Sequence, residues 1–242
     1  MENFYSRTEL AFKKDGVNNL KSAHVAVFGL GGVGSFLVES LVRSGVGTIS
    51  IFDGDTYSNS NLNRQLFATT LTVGKQKTAV AKERLLEINP SLKVYEYNLF
   101  IDKNTIKSID FSAFDYVADA IDTILSKVEI IKKARQNGVK VISAMGAGNK
   151  LDPTAFKVVD VSKTKVCPLA KIMRKLLKDE GIDNVKVVYS EEEPISNFNP
   201  NEPIKKGEKC AIASVSFVPS VMGLIMSGEI IKDIAFNKGE QV

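Results

Sequence analysis

The chain has 242 residues, 44% of them hydrophobic and 25% charged, with a net charge of +4. Such a chain can bury a sizeable core, so disorder is not the default reading. The mildly basic balance fits an ordinary globular protein, or one whose partner is a polyanion.

In chain order, residues 5–20 mix apolar and charged positions and predict a short helix. His24-Val25-Ala26-Val27-Phe28 is an apolar run ending in glycines, the mark of a buried parallel strand. Helical spacing of Val33, Phe36, Leu37, Ser40 and Leu41 predicts a helix over 32–44, and a second strand follows over 48–52. A helix over 75–88 is closed by Asn89-Pro90. Strands are predicted over 92–97 and 116–120, a helix over 125–136 with Gly138 just beyond it, and a strand over 139–144. Alternating strands and helices predict an α/β fold with a Rossmann-like, doubly wound, mainly parallel sheet. A less regular, mixed C-terminal extension begins at 156–161. It holds a helix over 169–178, a strand over 185–189 and a last helix over about 219–236. Residues 191–209, rich in Glu, Asn, Pro and Lys, read as a mobile loop. The whole of 1–242 reads as one domain, with 1–150 as its nucleotide-binding half and 151–242 as the substrate-binding and dimer-forming half.

The first chemical signal is Gly29-Leu30-Gly31-Gly32-Val33-Gly34, a G-x-G-x-x-G turn between a predicted strand and a predicted helix. Glycines let the backbone approach phosphate, and the helix N-terminus stabilises its charge. Asp53 ends the next strand, where a carboxylate would hold ribose hydroxyls. Alone, this pattern would suit a nicotinamide or flavin cofactor. The residues after it argue otherwise: Asp53, Asp55, Asn61, Arg64 and Gln65, then Lys77, then Asp119 and Asp122. A hydride-transfer enzyme has no use for two cations and several amides beside its nucleotide. A triphosphate does, because charge builds as pyrophosphate departs.

On these residues the chain resembles the ThiF/MoeB/HesA superfamily, related to ubiquitin-activating enzymes. The matching positions are Gly29, Gly31, Gly32 and Gly34, Asp53 and Asp55, Asn61, Arg64 and Gln65, Lys77, and Asp122. The resemblance implies ATP-dependent activation of a carboxylate as an acyl-adenylate. It implies that Asp53 binds the ribose, that Asn61, Arg64 and Lys77 hold the phosphates, and that Asp122 places Mg²⁺ near them. Arg7, in Tyr5-Ser6-Arg7, resembles an arginine that reaches a partner subunit's ATP, which implies a homodimer. Asp119 reads instead as a residue that caps or pairs within the sheet, and His24 as structural.

The C-terminal third narrows the resemblance. The segments 161–170, 187–194 and 214–220 look like the branch that dehydrates threonylcarbamoyladenosine in tRNA. That implies adenylation of its carboxylate, ring closure by a nitrogen of the same group, and release of AMP. The alternative is an enzyme that activates the C-terminal carboxylate of a small ubiquitin-like sulfur carrier. Such enzymes typically hold a four-cysteine zinc, and this chain has two cysteines, Cys167 and Cys210, with no close pair and one histidine. It therefore supplies no structural zinc. Either cysteine could form a thioester, but a structural role suits both better. A sulfur-relay protein stays open as a further partner. Lys163, Lys165, Lys171, Arg174, Lys175 and Lys178 lie on or near one helix and would serve either as a solvated face or as a contact for tRNA phosphates. The polar amino terminus predicts no signal peptide, and the longest apolar run, 215–231, is too interrupted to span a membrane. A cytoplasmic enzyme is expected.

Overall fold

The computed structural model describes residues 3–195 and 212–236. One seven-stranded sheet runs through them in the order β3-β2-β1-β4-β5-β7-β6. The strands are β1 (His24–Phe28), β2 (Thr48–Phe52), β3 (Lys93–Tyr97), β4 (Tyr116–Asp119), β5 (Lys140–Ala144), β6 (Phe156–Asp160) and β7 (Lys186–Ser190). All pairs are parallel except β6 with β7. The helices are α1 (Ser6–Ser22), α2 (Gly34–Arg43), α3 (Lys77–Ile88), α4 (Ile124–Gln136), α5 (Pro168–Asp179) and α6 (Phe217–Ala235).

The two-residue period of a strand sorts its side chains between two cores. Val25 and Val27 of β1, Ile49 and Ile51 of β2, and Ala118 of β4 face one core with α2, α3 and α6. Ala26, Phe28, Phe52 and Val117 face the other, with α4 and α5. Full burial of a valine or phenylalanine contributes about 1.5–3 kcal/mol. Strands of four or five residues are thus held by their neighbours rather than by their own length.

Three differences from the sequence expectation have physical causes. The first helix is longer and is kinked at Lys13, at φ 59° and ψ 173°. Both of its halves can then lay apolar side chains, Phe12 before the kink and Leu20 after it, against the core around α6. Helix α3 begins at Lys77 rather than 75, because Gln76 pairs with Thr56 as an antiparallel bridge and the Lys77 amide donates to the Asp55 carbonyl at 3.0 Å. The stretch 156–160, to which the sequence assigns no element of its own, is an antiparallel edge strand, in keeping with the mixed extension expected there. Its pattern is hard to see because only Phe156 is buried.

Helix α6 brings the C-terminal part of the chain onto the nucleotide-binding half. A Cβ on Gly223 would stand 2.3 Å from the Val33 carbonyl oxygen, so α6 and the start of α2 touch backbone to backbone. Ser227 Oγ lies 2.8 Å from Ser40 Oγ along the same contact. Of the expected loop 191–209, residues 191–195 are described and tied down. Tyr189 donates to Glu191 at 2.7 Å, and the amides of Leu151 and Asp152 donate to Glu192 at 2.8 and 3.0 Å. Residues 196–209 of that loop, and Cys210, lie outside the described residues.

Candidate active site

The strand order reverses between β1 and β4, so their carboxyl ends open a crevice where ligands of doubly wound sheets bind. The glycine turn lies there. Gly29 takes φ +91°, and its amide donates to the Phe52 carbonyl at 2.8 Å. A Cβ on Gly34 would stand 1.8 Å from the Gly29 oxygen, so only glycine lets α2 begin so close to β1. A Cβ on Gly31 would meet only Gln65 Nε2, at 3.8 Å. The backbone at Gly31 is therefore open to a ligand, as phosphate binding at a helix start requires.

Asp53 is fixed by that same turn. Its Oδ2 accepts from the Leu30 amide at 2.7 Å and its Oδ1 from the Asp55 amide at 2.9 Å. Burial pushes its carboxyl above the usual aspartate range, opposed by Lys77 and by these two amides. Lys77 is 5% exposed, and its ammonium lies 3.0 Å from Asp55 Oδ2 and 3.9 Å from Asp53 Oδ2. The bridge that delays α3 thus points Lys77 back at the glycine turn.

The segment after β2 closes the other side. Asn61 ends a 3-10 turn (Asn59–Asn61), and its Oδ1 accepts from the Ser58 amide at 3.0 Å. Arg64 Cγ lies 3.4 Å from where a Gly32 Cβ would be, and its guanidinium donates to the Ser60 carbonyl at 2.7 Å and Asn63 Oδ1 at 2.9 Å. Gln65 is buried, and its Oε1 has no hydrogen-bond partner among the described residues. A buried polar atom without a partner points to a ligand or an ordered water. Pro219 of α6 also reaches this corner, 3.1 Å from a Gly32 Cβ position.

The structure therefore brings the glycines, Asp53, Asp55, Arg64, Gln65 and Lys77 together, with Asn61 on the turn whose carbonyl accepts from the Arg64 and Gln65 amides. Asp122 lies exposed on the loop after β4, which abuts Gly29 through Ala120 and Ile121. Arg7 is placed elsewhere, exposed on the first turn of α1, a helix that packs on α6. These residues suit a nucleoside triphosphate: bare amides, one carboxylate for hydroxyls, and two cations. Mg²⁺ commonly takes one or two protein carboxylates together with substrate phosphates, and the exposed Asp122 carboxylate fits that pattern.

The remaining residues singled out in the sequence have clear positions. Asp119 is fully buried and paired with Lys127, a residue that sequence reasoning misses because it reads as one more charge on a helix. The only hint of it is a lysine in the first turn of the helix that follows an Asp-ended strand. His24 is structural: Nε2 lies 2.9 Å from Ser50 Oγ, the ring packs edge-on to Phe114, and burial lowers its pKa. Cys167 is buried at the start of α5. Lys163, Lys165, Lys171, Lys175 and Lys178 are exposed, whereas Arg174 turns inward to the Thr164 carbonyl and hydroxyl.

Fold and pocket together define an enzyme of the adenylating class, and the comparison with known proteins agrees. The sequence pattern of the ThiF family matches residues 5–241, and the chain belongs to that family. Over 239 residues it is 43% identical to the tRNA threonylcarbamoyladenosine dehydratase of Bacillus subtilis, spanning 95% of this chain and 94% of that one. Among solved structures it is similar to the Escherichia coli tRNA N6-threonylcarbamoyladenosine dehydratase, TcdA, in complex with AMP. The TM-score is 0.84 at 30% identity, over 94% of this chain and 92% of that one. The same enzyme in complex with ATP aligns with a TM-score of 0.83 at 29% identity, over 95% and 93% of the two chains.

Proposed function

We infer that this chain is an ATP-dependent tRNA threonylcarbamoyladenosine dehydratase. The observation that carries the reading is the 43% identity to such an enzyme along 95% of the chain, joined to a pocket built for a triphosphate. A carboxylate oxygen of the modified nucleoside attacks the α-phosphorus of ATP, and pyrophosphate leaves. A nitrogen of the same side group then attacks the activated carbonyl carbon, loses its proton, and AMP leaves with the former carboxylate oxygen. The nucleoside has lost one water. Adenylation turns a poor leaving group into a good one, and ring closure gains from having both reactants on one group.

Within this reading the amides of Gly29 to Gly34 receive phosphate and Asp53 holds the ribose. Asn61, Arg64, Gln65 and Lys77 stabilise the charge that develops on the phosphates. Lys77 has to share its ammonium between Asp55 and the incoming phosphate, which keeps it aimed before ATP arrives. Mg²⁺ would be held by Asp122 with the triphosphate, where it would neutralise phosphate charge. The exposed lysines of α5 and its approach would contact tRNA phosphates. Affinity for tRNA is then expected to fall by orders of magnitude as salt rises. A flat salt response would remove that role.

Arg7 is proposed to complete the pocket of a second copy in a homodimer, with 151–242 contributing to substrate binding and to the dimer. Mixing Arg7→Ala with Arg64→Ala protein tests this, because a mixed dimer contains one intact site. Recovered AMP formation is expected, and none on mixing would assign Arg7 elsewhere. The reaction itself is tested by mass spectrometry of tRNA nucleosides from cells lacking the gene. Accumulation of the uncyclised nucleoside is expected, and an unchanged nucleoside profile would refute the assignment.

A further inference from the structure

The pair of Asp119 and Lys127 has no part in the chemistry above, yet it is costly to build. Both side chains are 0% exposed, with Nζ 2.9 Å from Oδ2. A well-packed apolar pair of similar volume would often serve the fold as well or better, so stability is a poor reason for it. Apart from one bond to β5, its other bonds converge on Ile121, within the stretch 120–123. Lys127 Nζ also donates to the Ile121 carbonyl at 3.0 Å, and the Ile121 amide lies 3.4 Å from Asp119 Oδ1. Ser143 Oγ of β5 donates to Asp119 Oδ2 at 2.6 Å, anchoring the carboxylate from behind.

That stretch is the one that closes on the glycine turn. The Ala120 amide donates to the Phe28 carbonyl at 2.8 Å. A Cβ on Gly29 would stand 2.8 Å from the Ala120 oxygen and 2.9 Å from Ile121 Cγ2. Asp122 follows at once, exposed, its Oδ1 3.4 Å from Thr123 Oγ1. An ammonium has several donors on one point, so it can hold a strand carboxylate and a loop carbonyl together. We propose that Lys127 is a positioning residue: with Asp119 it fixes loop 120–123 so that Asp122 faces the nucleotide at a set place beside the glycine turn. This rests on the reading of Asp122 as the carboxylate that places Mg²⁺ and the triphosphate.

The competing account is that Lys127 only compensates a buried charge. Lys127→Met alone strands the Asp119 carboxylate and is expected to impair folding. The full-length variant combining Lys127→Met with Asp119→Asn removes both charges and keeps one amide oxygen to accept from Ser143 Oγ. Its thermal unfolding, its kcat and KM for AMP formation on threonylcarbamoyladenosine-bearing tRNA, and the same constants with Asp122→Asn added, form the test. The neutral pair is expected to unfold near the wild-type temperature. Its kcat is expected to fall about 10–100-fold, with KM for tRNA changed by less than about threefold. Added to Asp122→Asn it should slow turnover little further, because both changes disable one device. Wild-type kcat in the folded neutral pair would overturn the proposal, and so would losses that multiply in the combined variant. If Asp122→Asn alone turned over at the wild-type rate, the reading of Asp122 would fall and the positioning role with it. Multiplied losses with a slow Asp122→Asn would sink the positioning role alone.

Discussion

Arg64 and Lys77 differ in how they are held, and the difference predicts different variants. Arg64 is half-buried and rests on the backbone of its own turn. Arg64→Ala is therefore expected to fold normally and to lose transition-state stabilisation of about 2–4 kcal/mol, a fall of about 30–900-fold in kcat. Steady-state AMP release with an unfolding curve checks both halves. Unchanged turnover would take Arg64 out of the reaction. Asp53 carries a pH signature. Burial raises its pKa, and only the carboxylate form offers full acceptance to ribose hydroxyls. ATP affinity should drop on acidification at a pH above the ordinary carboxylate range, and Asp53→Asn should lose that dependence. Calorimetric titration with ATP across pH measures it, and identical acid limbs in the two proteins would contradict the role. Both residues were legible as motif positions. The partnership of Lys77 with Asp55 was not, because it depends on the Thr56–Gln76 bridge that turns the chain back.

At the scale of elements, the contact between α2 and α6 decides the shape of the pocket. Gly223 lets α6 lie against the Val33 carbonyl, and Pro219 of the same helix touches the Gly32 position. Gly223→Ala would overpack a backbone contact, which costs about 1–3 kcal/mol and pushes α2 away from α6. Denaturant unfolding should show that loss, and ATP affinity should fall with it because α2 carries the glycine turn. Unaltered stability would mean that the helices have room to part. Helical periodicity in the sequence revealed both helices. It could not reveal that they meet, since nearly two hundred residues separate them and one sequence holds no record of the pairing.

Across the whole molecule, a polar cluster ties the sheet to α6. Tyr116 of β4 donates to Asp233 Oδ2 at 2.8 Å, Lys186 of β7 lies 2.7 Å from it, and Lys140 of β5 donates to the Asp233 carbonyl at 3.2 Å. Burial raises the Asp233 pKa, but the Lys186 and Tyr116 hydrogen bonds outweigh it and leave the carboxyl below its ordinary value. As pH falls, the unfolded aspartate takes up its proton first while the native one stays charged. The stability that Asp233 contributes is therefore complete above the unfolded pKa and drains away as pH falls through the lower native value. Asp233→Asn should destabilise the protein near neutrality and flatten the acid side of its stability curve. Urea unfolding at a series of pH values tests this, and an unaltered acid limb would assign the cluster no such role.

The amino-acid order by itself determined the strands β1, β2, β4 and β5, the helices between them, the glycine turn and the set of polar residues around it. These are encoded locally, as periodicity, as turn chemistry and as residue types at short spacing. Tertiary structure alone decided that 156–160 would pair antiparallel at the sheet edge, that α6 would cover α2, and that Lys127 would be buried against Asp119. Each of those depends on which distant surface a segment meets. A lysine on a helix looks the same in sequence whether it faces water or a carboxylate at the end of a strand.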